Sequence, residues 1–592
     1  MVTTTAVISM LAAAFGIVWL YINVYTYSPV YRKLFFRLIG RAKDPRVYSE
    51  ETTLSDSALP TIDVLLPVYD ETETIGHNLR ALRAADYPSA LLRICVLVEA
   101  DDLATRAALV RLRSHYEFDE LIVPPLYPGN RNKPRALNYG FGRTDGDIVG
   151  VIDAEDIVAP DLFQQVVCAL IEGDHDYVQG KLDMQNENDG ILNTLFRGEY
   201  GFWYGTVIPA FFRVDYPVPL GGTTNFITRE TLRSVAETRQ KQFGSPWTPA
   251  QQDLLIEMDC SAMTPWDPRN VTEDFELGLL LWELGYEMAL VTATTRGESP
   301  VGLNAWIKQR TRWQKGKLFT LRERVRYPPE GMGRKLHLYS QAATPHLGPM
   351  NIVAVVLISL YAWTVGLLAS PVVAAVLLVS MSLALQQIII HTFGYWVSTD
   401  VRGARRLYRT VVTALGVPLY WVLQWGCDIR AFVQLIAGSH VWEKTDHFGR
   451  HLSDEPASLS PYLHVSIDET PDGWTWTLQY GDRTLTTART PVETKAAAER
   501  ELAAVFDALP AAVGVDWTFE LEDAAVGWQW QLLNVDRTSS IATSRGTLPD
   551  IVSTLDTVDR VRSATKEASS PPSAVDDSMD QSDQPAVSRL NY

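Results

Sequence analysis

The stretch that decides the fold is residues 61–69, which read Thr61-Ile62-Asp63-Val64-Leu65-Leu66-Pro67-Val68-Tyr69 and end directly in the carboxylates Asp70 and Glu71. A short apolar run bounded by polar residues is typical of a buried strand. Two similar runs follow at 93–98 and 147–152, and helical patterns lie between the runs. Strands that alternate with helices predict a mainly parallel sheet in an α/β fold, with ligands bound beyond the carboxyl ends of the strands.

Acidic clusters also follow the second and third runs, as Glu99-Ala100-Asp101-Asp102 and Asp153-Ala154-Glu155-Asp156. In the latter, Asp153 and Glu155 place two carboxylates on the same side with a small residue between them. This spacing suits a divalent ion held by oxygen ligands, with one face left for the two phosphates of a nucleotide. The alternative is an acidic loop that caps the helix beginning at 160–161. Lys133 adds a cation ahead of a predicted helix, as phosphate binding requires.

Two further segments, Thr272-Glu273-Asp274 and Gln309-Arg310-Thr311-Arg312-Trp313, lie 35 residues apart. The first opens an apolar helical stretch at 275–284, so it is either a threonine cap with an acidic first turn or the source of a general base. The second is either a basic surface helix or a site for a departing diphosphate, which needs positive charge and hydrogen-bond donors. Their order in one chain, ahead of long apolar runs, favours the functional interpretation of both.

Three apolar runs, Val7–Tyr25, Met350–Ala369 and Val372–Ile390, are each long enough to cross a bilayer. Nothing basic precedes the first run and no small-x-small cleavage pattern follows it, so we predict a retained anchor and not a secretory signal. A fourth stretch, 410–438, either crosses once or lies along the interface. Asp428 and Arg430 within it favour an interfacial or re-entrant path, because charge at the bilayer centre is costly.

Basic residues after the first and third runs predict that both flanks are cytoplasmic. These residues are Arg32, Lys33, Arg37, Arg41, Lys43 and Arg46, and then Arg402, Arg405, Arg406 and Arg409. We therefore expect a multi-pass cell-membrane protein in which residues 47 to about 345 face the cytoplasm.

The charge of the chain is concentrated near its C-terminus. The formal net charge is -18, and from Asp454 onward there are 23 acidic against 10 basic residues. Such a surface disfavours nucleic acid as a partner. The cysteines Cys95, Cys168, Cys260 and Cys427 have neither a pairing nor a metal-binding spacing, so we expect them to be reduced.

The region after 460 contains an internal repeat with an offset of 54 residues. Gly473, Trp474, Trp476, Leu478, Asp482, Arg483, Thr484 and Ala488 recur as Gly527, Trp528, Trp530, Leu532, Asp536, Arg537, Thr538 and Ala542. Each copy predicts a meander of two or three strands followed by a helix, such as 492–509, which together form a small α+β domain of tandem ββα repeats. The paired tryptophans are either the packed face of a small sheet or a sugar-binding stripe. Residues 566–592 are rich in Ser, Pro, Asp and Gln, which predicts disorder.

With these motifs in place, residues of about 60 to 320 resemble the GT-A (Rossmann-like) domain of the family 2 processive glycosyltransferases, which include cellulose, hyaluronan and related exopolysaccharide synthases. The resemblance implies a membrane-bound, inverting hexosyltransferase that moves sugar from a UDP-sugar to a growing polysaccharide, with coupled export and Mg2+ or Mn2+ as cofactor. It makes Asp274 the general base with Glu273 beside it, and Asp153 and Glu155 the metal ligands.

The resemblance also implies the binding residues. Those on the nucleotide-sugar side are Pro67, Tyr69, Glu71, Asp101, Asp102, Lys133 and Asp153. Those on the acceptor and diphosphate side are Asn225, Gln309, Arg310, Arg312 and Trp313. The loop at 220–225 resembles the acceptor-binding loop of the family, and Trp442-Glu443-Lys444-Thr445 resembles a motif of bacterial relatives.

The sequence departs from the family pattern in several places, so the resemblance is partial. Glu155 stands where many members have Asp, and an extra segment occupies about 240–264. The chain has no Phe-x-Val-Thr-x-Lys gating segment. Arg402 and Arg406 have the spacing of a cyclic-dinucleotide site but no Asp-x-Ser-x-x-Gly partner, so such regulation is not supported.

The predicted organisation assigns 1–46 to a transmembrane anchor and its basic flank, 47–330 to the cytoplasmic GT-A domain, 331–447 to transmembrane and interfacial helices, 460–565 to the repeats and 566–592 to the tail. Two other functions stay open. One is a single transfer to a polyprenyl phosphate or another lipid, and the other is a non-catalytic scaffold that binds nucleotide sugar or a protein partner through the repeats.

Overall fold

The computed structural model describes residues 46–49, 51–113, 115–186, 189–364, 366, 371–399, 401–438 and 443–444, together with isolated positions between 6 and 33 and the strands between 463 and 543. Two compact units make up the chain. One comprises 1–67, 84–95 and 127–452, and the other comprises 68–83, 96–126 and 453–592.

The first sheet has eight strands, in the order β1-β8-β6-β7-β5-β2-β3-β4. The strands are β1 (Val47–Tyr48), β2 (Ile62–Val68), β3 (Leu92–Glu99), β4 (Asp119–Val123), β5 (Ile148–Val151), β6 (Tyr177–Met184), β7 (Asn225–Thr228) and β8 (Met288–Gly297). The three strands expected from the apolar runs are thus confirmed as β2, β3 and β5.

The sheet is mixed, whereas the sequence predicts a mainly parallel one. Strand β7 pairs antiparallel with both β5 and β6, while β1–β8, β2–β5 and β6–β8 are parallel. Because β7 has only four residues, two of which are Asn225 and Thr228, it lacks the apolar run by which the other strands are recognised.

The helices of this region lie between and after its strands along the chain. They are α1 (Ile75–Arg83), α2 (Leu103–Leu112), α3 (Lys133–Phe141), α4 (Leu162–Val167), α5 (Ile191–Phe202), α6 (Ile208–Arg213), α7 (Arg229–Phe243), α8 (Pro249–Glu257), α9 (Glu273–Leu284) and α10 (Leu303–Arg326). The extra segment at 240–264 holds α8.

Buried ion pairs fix three of these helices. Arg229, the first residue of α7, donates to Asp63 of β2 at 2.7 Å, and both side chains are buried. Glu276 on α9 is fully buried and accepts from Arg239 of α7 at 2.5 Å and from Arg324 of α10 at 3.3 Å. A buried charge is tolerated only when it is paired in this way, so these contacts specify where α7, α9 and α10 meet.

Three long helices follow, namely α11 (Met332–Thr364), α12 (Pro371–Ser398) and α13 (Gly403–Ile436). Within the described residues, Leu377–Ser398 and Gly403–Ile436 are long and apolar enough to cross a membrane, by length and composition. The predicted span at 372–390 therefore falls within a continuous helix. Residues 410–436 are also part of one continuous helix, which does not form a re-entrant loop; a single crossing and an interfacial course both stay predictions. Asp428 in this helix lies 2.9 Å from His346 in a hydrogen bond. The expected spans at 7–25 and 350–369 lie partly outside the described residues.

These long helices pack directly on the α/β region. Leu195 and Phe196 of α5, Trp306 of α10 and Tyr420 of α13 belong to one buried apolar cluster. His391 of α12 lies 2.9 Å from the backbone oxygen of Leu195. The first unit therefore contains an extended contact between its sheet-packing helices and the two candidate membrane helices.

The second sheet has six strands, in the order β12-β13-β14-β11-β10-β9. They are β9 (Leu463–Thr470), β10 (Gly473–Tyr480), β11 (Arg483–Thr487), β12 (Thr518–Ala524), β13 (Gly527–Leu533) and β14 (Ser540–Thr543). Each tryptophan-bearing strand, β10 and β13, pairs antiparallel with the strand that precedes it. The predicted helix at 492–509 and the tail at 566–592 lie outside the described residues, and the repeat domain as a whole stays a prediction.

Candidate active site

Lys133 and Asp153 form an ion pair at the edge of the first sheet. Lys133 is the first residue of α3, whose N-cap Asn132 accepts a hydrogen bond from the backbone of Arg135 at 3.0 Å. Its ammonium donates to the carboxylate of Asp153, beyond the end of β5, and to the backbone oxygen of Gly222 at 2.5 Å. Burial opposes the charge on Lys133, but Asp153 and nearby carboxylates outweigh it and raise the pKa of Lys133 above its usual range. Lys133 is therefore a fixed cation.

Gly222 marks the point on which three predicted site residues converge. A methyl group at this glycine would lie 3.3 Å from Asp274 Oδ2, 3.6 Å from Lys133 Nζ and 3.7 Å from Asp153 Oδ2. The structure thus brings together residues that are more than 100 positions apart in the sequence. A cation and two carboxylates therefore surround a backbone position that has no side chain at this edge.

Two helix-interior glycines allow this convergence. A methyl group at Gly278 would lie 3.1 Å from the backbone carbon of Pro219, so the loop at 219–224 packs on α9 one turn beyond Asp274. At Gly316 a methyl group would lie 2.7 Å from Cβ of Thr272, so α10 touches the start of α9. The sequence carried a signal for both, because glycine inside a helix costs about 1 kcal/mol and needs a packing reason.

Helix α9 begins with the acidic pair Glu273 and Asp274. Thr272 occupies the N-cap position and acidic residues fill the first turn, but its side chain makes no capping hydrogen bond, so the alternative of a threonine side-chain cap is not supported. Its hydroxyl lies instead 3.4 Å from the side-chain oxygen of Asn270.

The environment of the pair raises its proton affinity. Burial, followed by the charge of Asp274, raises the pKa of Glu273 to about 7. Burial also raises the pKa of Asp274, and the charges of Lys133 and Arg312 oppose this rise. A carboxylate whose pKa approaches neutrality is a competent proton acceptor.

The carboxylates after β5 are not equivalent. Asp156 is fully buried, and burial together with Glu155 and Asp153 raises its pKa well above the ordinary value. Asp153 and Glu155 are half-buried. No group of three or more His, Cys, Asp or Glu side chains that could hold a metal ion occurs among the described residues.

Hydrogen bonds hold the predicted acceptor loop at 220–225. The side chain of Asn225 donates to the backbone oxygen of Gly221 at 2.9 Å, and Gln179 accepts from the backbone nitrogen of Gly221 at 2.8 Å. The hydroxyl of Thr223 accepts from the backbone nitrogen of Asp153 at 3.1 Å. Asn225 thus supports the loop, and Gln179 is a supporting residue that sequence reasoning missed.

The Gln-x-x-Arg-Trp segment lies on α10, and its residues have different surroundings. Arg312 is near enough to the acidic pair for its charge to lower the pKa of both members. Gln309 is buried, and Trp313 is half-buried with its ring centroid 6.2 Å from that of Tyr200. Arg310 points elsewhere: its two terminal nitrogens donate to the carboxylate of Glu199. Its expected contact with a diphosphate therefore has no support in this geometry.

The predicted nucleotide-side residues lie at the end of β2, at 67–71, and after β3, at 101–102. In the second unit, Asp102 caps α2 and accepts from the backbone nitrogens of Thr105 at 3.2 Å and of Asp70 at 2.6 Å. Glu71 is buried and accepts from the hydroxyl of Thr74 at 3.0 Å. Asp102 therefore holds the backbone of both loops, and Glu71 holds the side chain of Thr74.

The other nucleotide-side residues are closer to solvent. Tyr69 is 39% exposed, and Asp101 is half-buried in the second unit. Pro67, in β2, belongs to the first unit and is also half-buried. Tyr69 and Asp101 are thus more accessible to a ligand than Asp102 and Glu71.

Comparison with known proteins agrees with this arrangement. Residues 60–316 match the family described as "Glycosyltransferase like family 2". The probable glycosyltransferase YdaM of Bacillus subtilis (strain 168) is 25% identical over 267 residues, which cover 44% of this chain and 56% of that protein. An N-acetylglucosaminyltransferase of Rhizobium meliloti (strain 1021) is 24% identical over 257 residues, which cover 43% of this chain and 55% of that protein. The chain thus spans about half the length of the curated relatives it matches.

Among solved structures, the mannosyltransferase PcManGT from Pyrobaculum calidifontis, in complex with GDP-Man and Mn2+, aligns with a TM-score of 0.43 at 16% identity, covering 73% of this chain and 99% of that chain.

The family match encloses the residues around Gly222 and ends at Gly316, where α10 meets α9. Residues 60–316 therefore form a family 2 glycosyltransferase domain with a GT-A-like mixed α/β sheet, and the chain carries the domain of a glycosyltransferase enzyme.

Proposed function

We propose that this protein is a membrane-bound, inverting glycosyltransferase that transfers a sugar from a UDP-sugar to a growing polysaccharide. The observation that carries the proposal is the convergence of Lys133, Asp153 and Asp274 on Gly222, with Arg312 beside the acidic pair. Fixed positive charge and a carboxylate of raised pKa are the two things that glycosyl transfer from a nucleotide requires. The N-acetylglucosaminyltransferase among the relatives supports a hexosyl donor.

Asp274 is the proton acceptor in this mechanism. A hydroxyl of the acceptor attacks the anomeric carbon of the donor sugar from the face opposite the UDP, and its proton passes to a carboxylate oxygen of Asp274. The new glycosidic bond forms as the bond between the anomeric carbon and the phosphate oxygen breaks, which inverts the configuration. Lys133 and Arg312 stabilise the negative charge that develops on the departing UDP.

The residues present also fit a divalent metal ion. Mg2+ is usually bound through one or two carboxylates together with substrate phosphates, and Asp153 and Glu155 offer two half-buried carboxylates at this edge. We propose that these two residues hold Mg2+ or Mn2+, which would offset the charge of the diphosphate. Lys133, bonded to Asp153, orients that carboxylate.

The position of α10 supports a polymeric acceptor. This helix carries the Gln-x-x-Arg-Trp segment, whose Arg312 lies beside the acidic pair, and it packs against α13, a candidate membrane helix. An acceptor chain can therefore extend from the site along helices that reach the bilayer. We propose coupled export by this route, with the catalytic domain on the cytoplasmic side, as the basic residues around the spans predict.

A lipid-linked acceptor, such as a polyprenyl phosphate, is the second candidate. The contact between α10 and α13 favours it too, because a lipid head group in the bilayer could reach the same edge. The two candidates differ in product, since a processive enzyme makes a ladder of polymer lengths and a single-transfer enzyme makes one lipid glycoside. The non-catalytic scaffold is not retained, because the domain belongs to an enzyme family and its charged residues converge.

The test replaces Asp274 with Asn and measures UDP release from a panel of UDP-sugars, with mass analysis of the product. Loss of the base is expected to lower turnover about 100-fold or more, with UDP binding nearly intact. Asp253→Asn, at an exposed position on α8, is the matched control and should not change turnover. Near-normal turnover of Asp274→Asn would refute the assignment of the base.

A further inference from the structure

Glu199, Arg310 and Tyr420 form a closed hydrogen-bonded cluster, which we call the clamp. Arg310 donates to Glu199 Oε1 at 2.8 Å and to Glu199 Oε2 at 2.7 Å. The hydroxyl of Tyr420 donates to Glu199 Oε2 at 2.6 Å and accepts from Arg310 at 2.9 Å. The clamp thus joins three helices, because Glu199 lies on α5, Arg310 on α10 and Tyr420 on α13.

The guanidinium of Arg310 also lies between aromatic rings. Its central carbon is 4.6 Å from the ring centroid of Phe196 and 4.6 Å from that of Trp313. A cation over an aromatic face is attracted to it, and the attraction increases when water is excluded. The clamp therefore contacts the ring of Trp313 directly, beside the rings of Phe196 and Tyr200.

Within the clamp, the positive charge of Arg310 compensates the negative charge of Glu199. Burial would raise the pKa of Glu199, but the charge of Arg310 and the hydrogen bonds from Arg310 and Tyr420 hold it below its ordinary value. Only 7% of the Arg310 side chain is exposed. Because Arg310 is desolvated and bidentately paired, moving it to a nucleotide would leave the half-buried carboxylate of Glu199 without its partner, which is unfavourable.

We propose that Glu199, Arg310 and Tyr420 are positioning residues, which hold Trp313 in its orientation and fix α10 to the candidate membrane helix α13. Arg310 acts through Trp313 and does not touch the diphosphate. This inference rests on the proposed function and on the predicted place of Trp313 on the acceptor side of the site. It explains why two arginines stand two residues apart in the segment: Arg312 lies near the acidic pair, and Arg310 pairs with the other two members of the clamp.

The test compares Arg310→Lys, Glu199→Gln and Tyr420→Phe. Lysine keeps the charge but cannot pair bidentately or cover a ring as a planar guanidinium does. We expect the KM for the acceptor to rise about tenfold or more in Arg310→Lys, since small misplacements at a reacting site are costly. Tyr420→Phe removes one hydroxyl and should give a smaller rise of the same kind. The Kd for UDP, measured by calorimetry, should stay within about twofold of the original value.

The opposite pattern would overturn the inference. If Arg310 bound the diphosphate, Arg310→Lys would raise the Kd for UDP and leave the KM for the acceptor unchanged. The matched control is Arg229→Lys, which alters the buried pair of Arg229 with Asp63 at 2.7 Å on the other side of the domain. It should lower thermal stability without changing the acceptor KM. An equal rise in the control would mean that the clamp has only a general structural effect.

A second measurement does not depend on activity. The thermal stabilities of Glu199→Gln, Tyr420→Phe and the double variant form a cycle, and shared hydrogen bonds predict that the two losses are not additive. Additive losses would overturn the clamp itself. Wild-type protein that releases no UDP from any UDP-sugar would refute the proposed function instead, while the cycle would still test the clamp.

Discussion

The close approach of α10 to α9 at Gly316 predicts that Gly316→Ala disturbs the site without touching a catalytic side chain. The new methyl group would lie 2.7 Å from both Cβ and Cγ2 of Thr272, and ordinary contact begins at 3.4 Å. Rotation of the Thr272 side chain cannot relieve the clash with Cβ. Thr272 must therefore retreat by roughly 0.7 Å, and it carries with it the start of α9, where Glu273 and Asp274 lie.

The size of the effect follows from this displacement. Overpacking of a well-packed contact costs about 1–3 kcal/mol of folding free energy. A misplacement of about 1 Å at a reacting centre can cost 100-fold in rate, so a shift of this size should lower kcat/KM by about tenfold or more. The assay is UDP release with the best donor, alongside a thermal unfolding curve for the same preparation.

A matched control isolates the steric cause. Gly426 is also inside a helix, but a methyl group there meets nothing within 4 Å. Gly426→Ala should keep full activity, with stability unchanged or raised by up to about 1 kcal/mol. If Gly316→Ala unfolds at the same temperature as the original protein and turns over at the same rate, α10 does not touch α9 as described and the reasoning fails.

Three further predictions concern the acidic site and the repeats. The pKa of Glu273 is raised to about 7 and that of Asp274 is also raised, so turnover should fall as these carboxylates become protonated toward acidic pH. Because a raised folded-state pKa favours the protonated form, the contribution of Glu273 to stability should be full below pH 4.5 and lost as the pH rises through 7. A turnover rate that stays flat between pH 5.5 and 8 would contradict the assignment of the acidic pair to proton transfer. Asp153→Ala should weaken metal-dependent UDP binding, measured by calorimetry with and without Mn2+, whereas full activity in excess chelator would exclude the metal site. Removal of everything after residue 452 should leave UDP release largely intact; a truncated protein that folds and binds UDP but is inactive would place the repeats in the catalytic machinery.

Local sequence patterns determined much of the fold. The apolar runs at 61–69, 93–98 and 147–152 predict β2, β3 and β5 within one or two residues, because a buried strand needs a short apolar run and ends where polar residues begin. The same logic predicts that the carboxylates after these strands lie at a sheet edge. It does not recognise β7, which is held by its neighbours β5 and β6 and has little apolar character of its own.

The family resemblance predicts which residues form the site, but only the tertiary structure shows that these residues have different surroundings. Arg310 and Arg312 look equivalent in the sequence, and both are cationic residues of one helix. The 100° rotation per residue of an α-helix turns them to different faces, one toward Glu199 and Tyr420 and the other toward the acidic pair. Sequence reasoning cannot assign these faces without knowing what packs against each.

The contacts that assemble the site are also invisible in the sequence, because they join residues that are far apart along the chain. Glu199 and Tyr420 are 221 positions apart, and their hydrogen bond depends on how α5 and α13 pack. Gly316 and Thr272 meet because two helix backbones approach more closely than a side chain would allow. The sequence therefore determined which elements form and which carboxylates and cations they carry, through local periodicity and strand-end chemistry. The tertiary structure decided which of these groups converge, since steric fit and the pairing of buried charge depend on partners from distant parts of the chain.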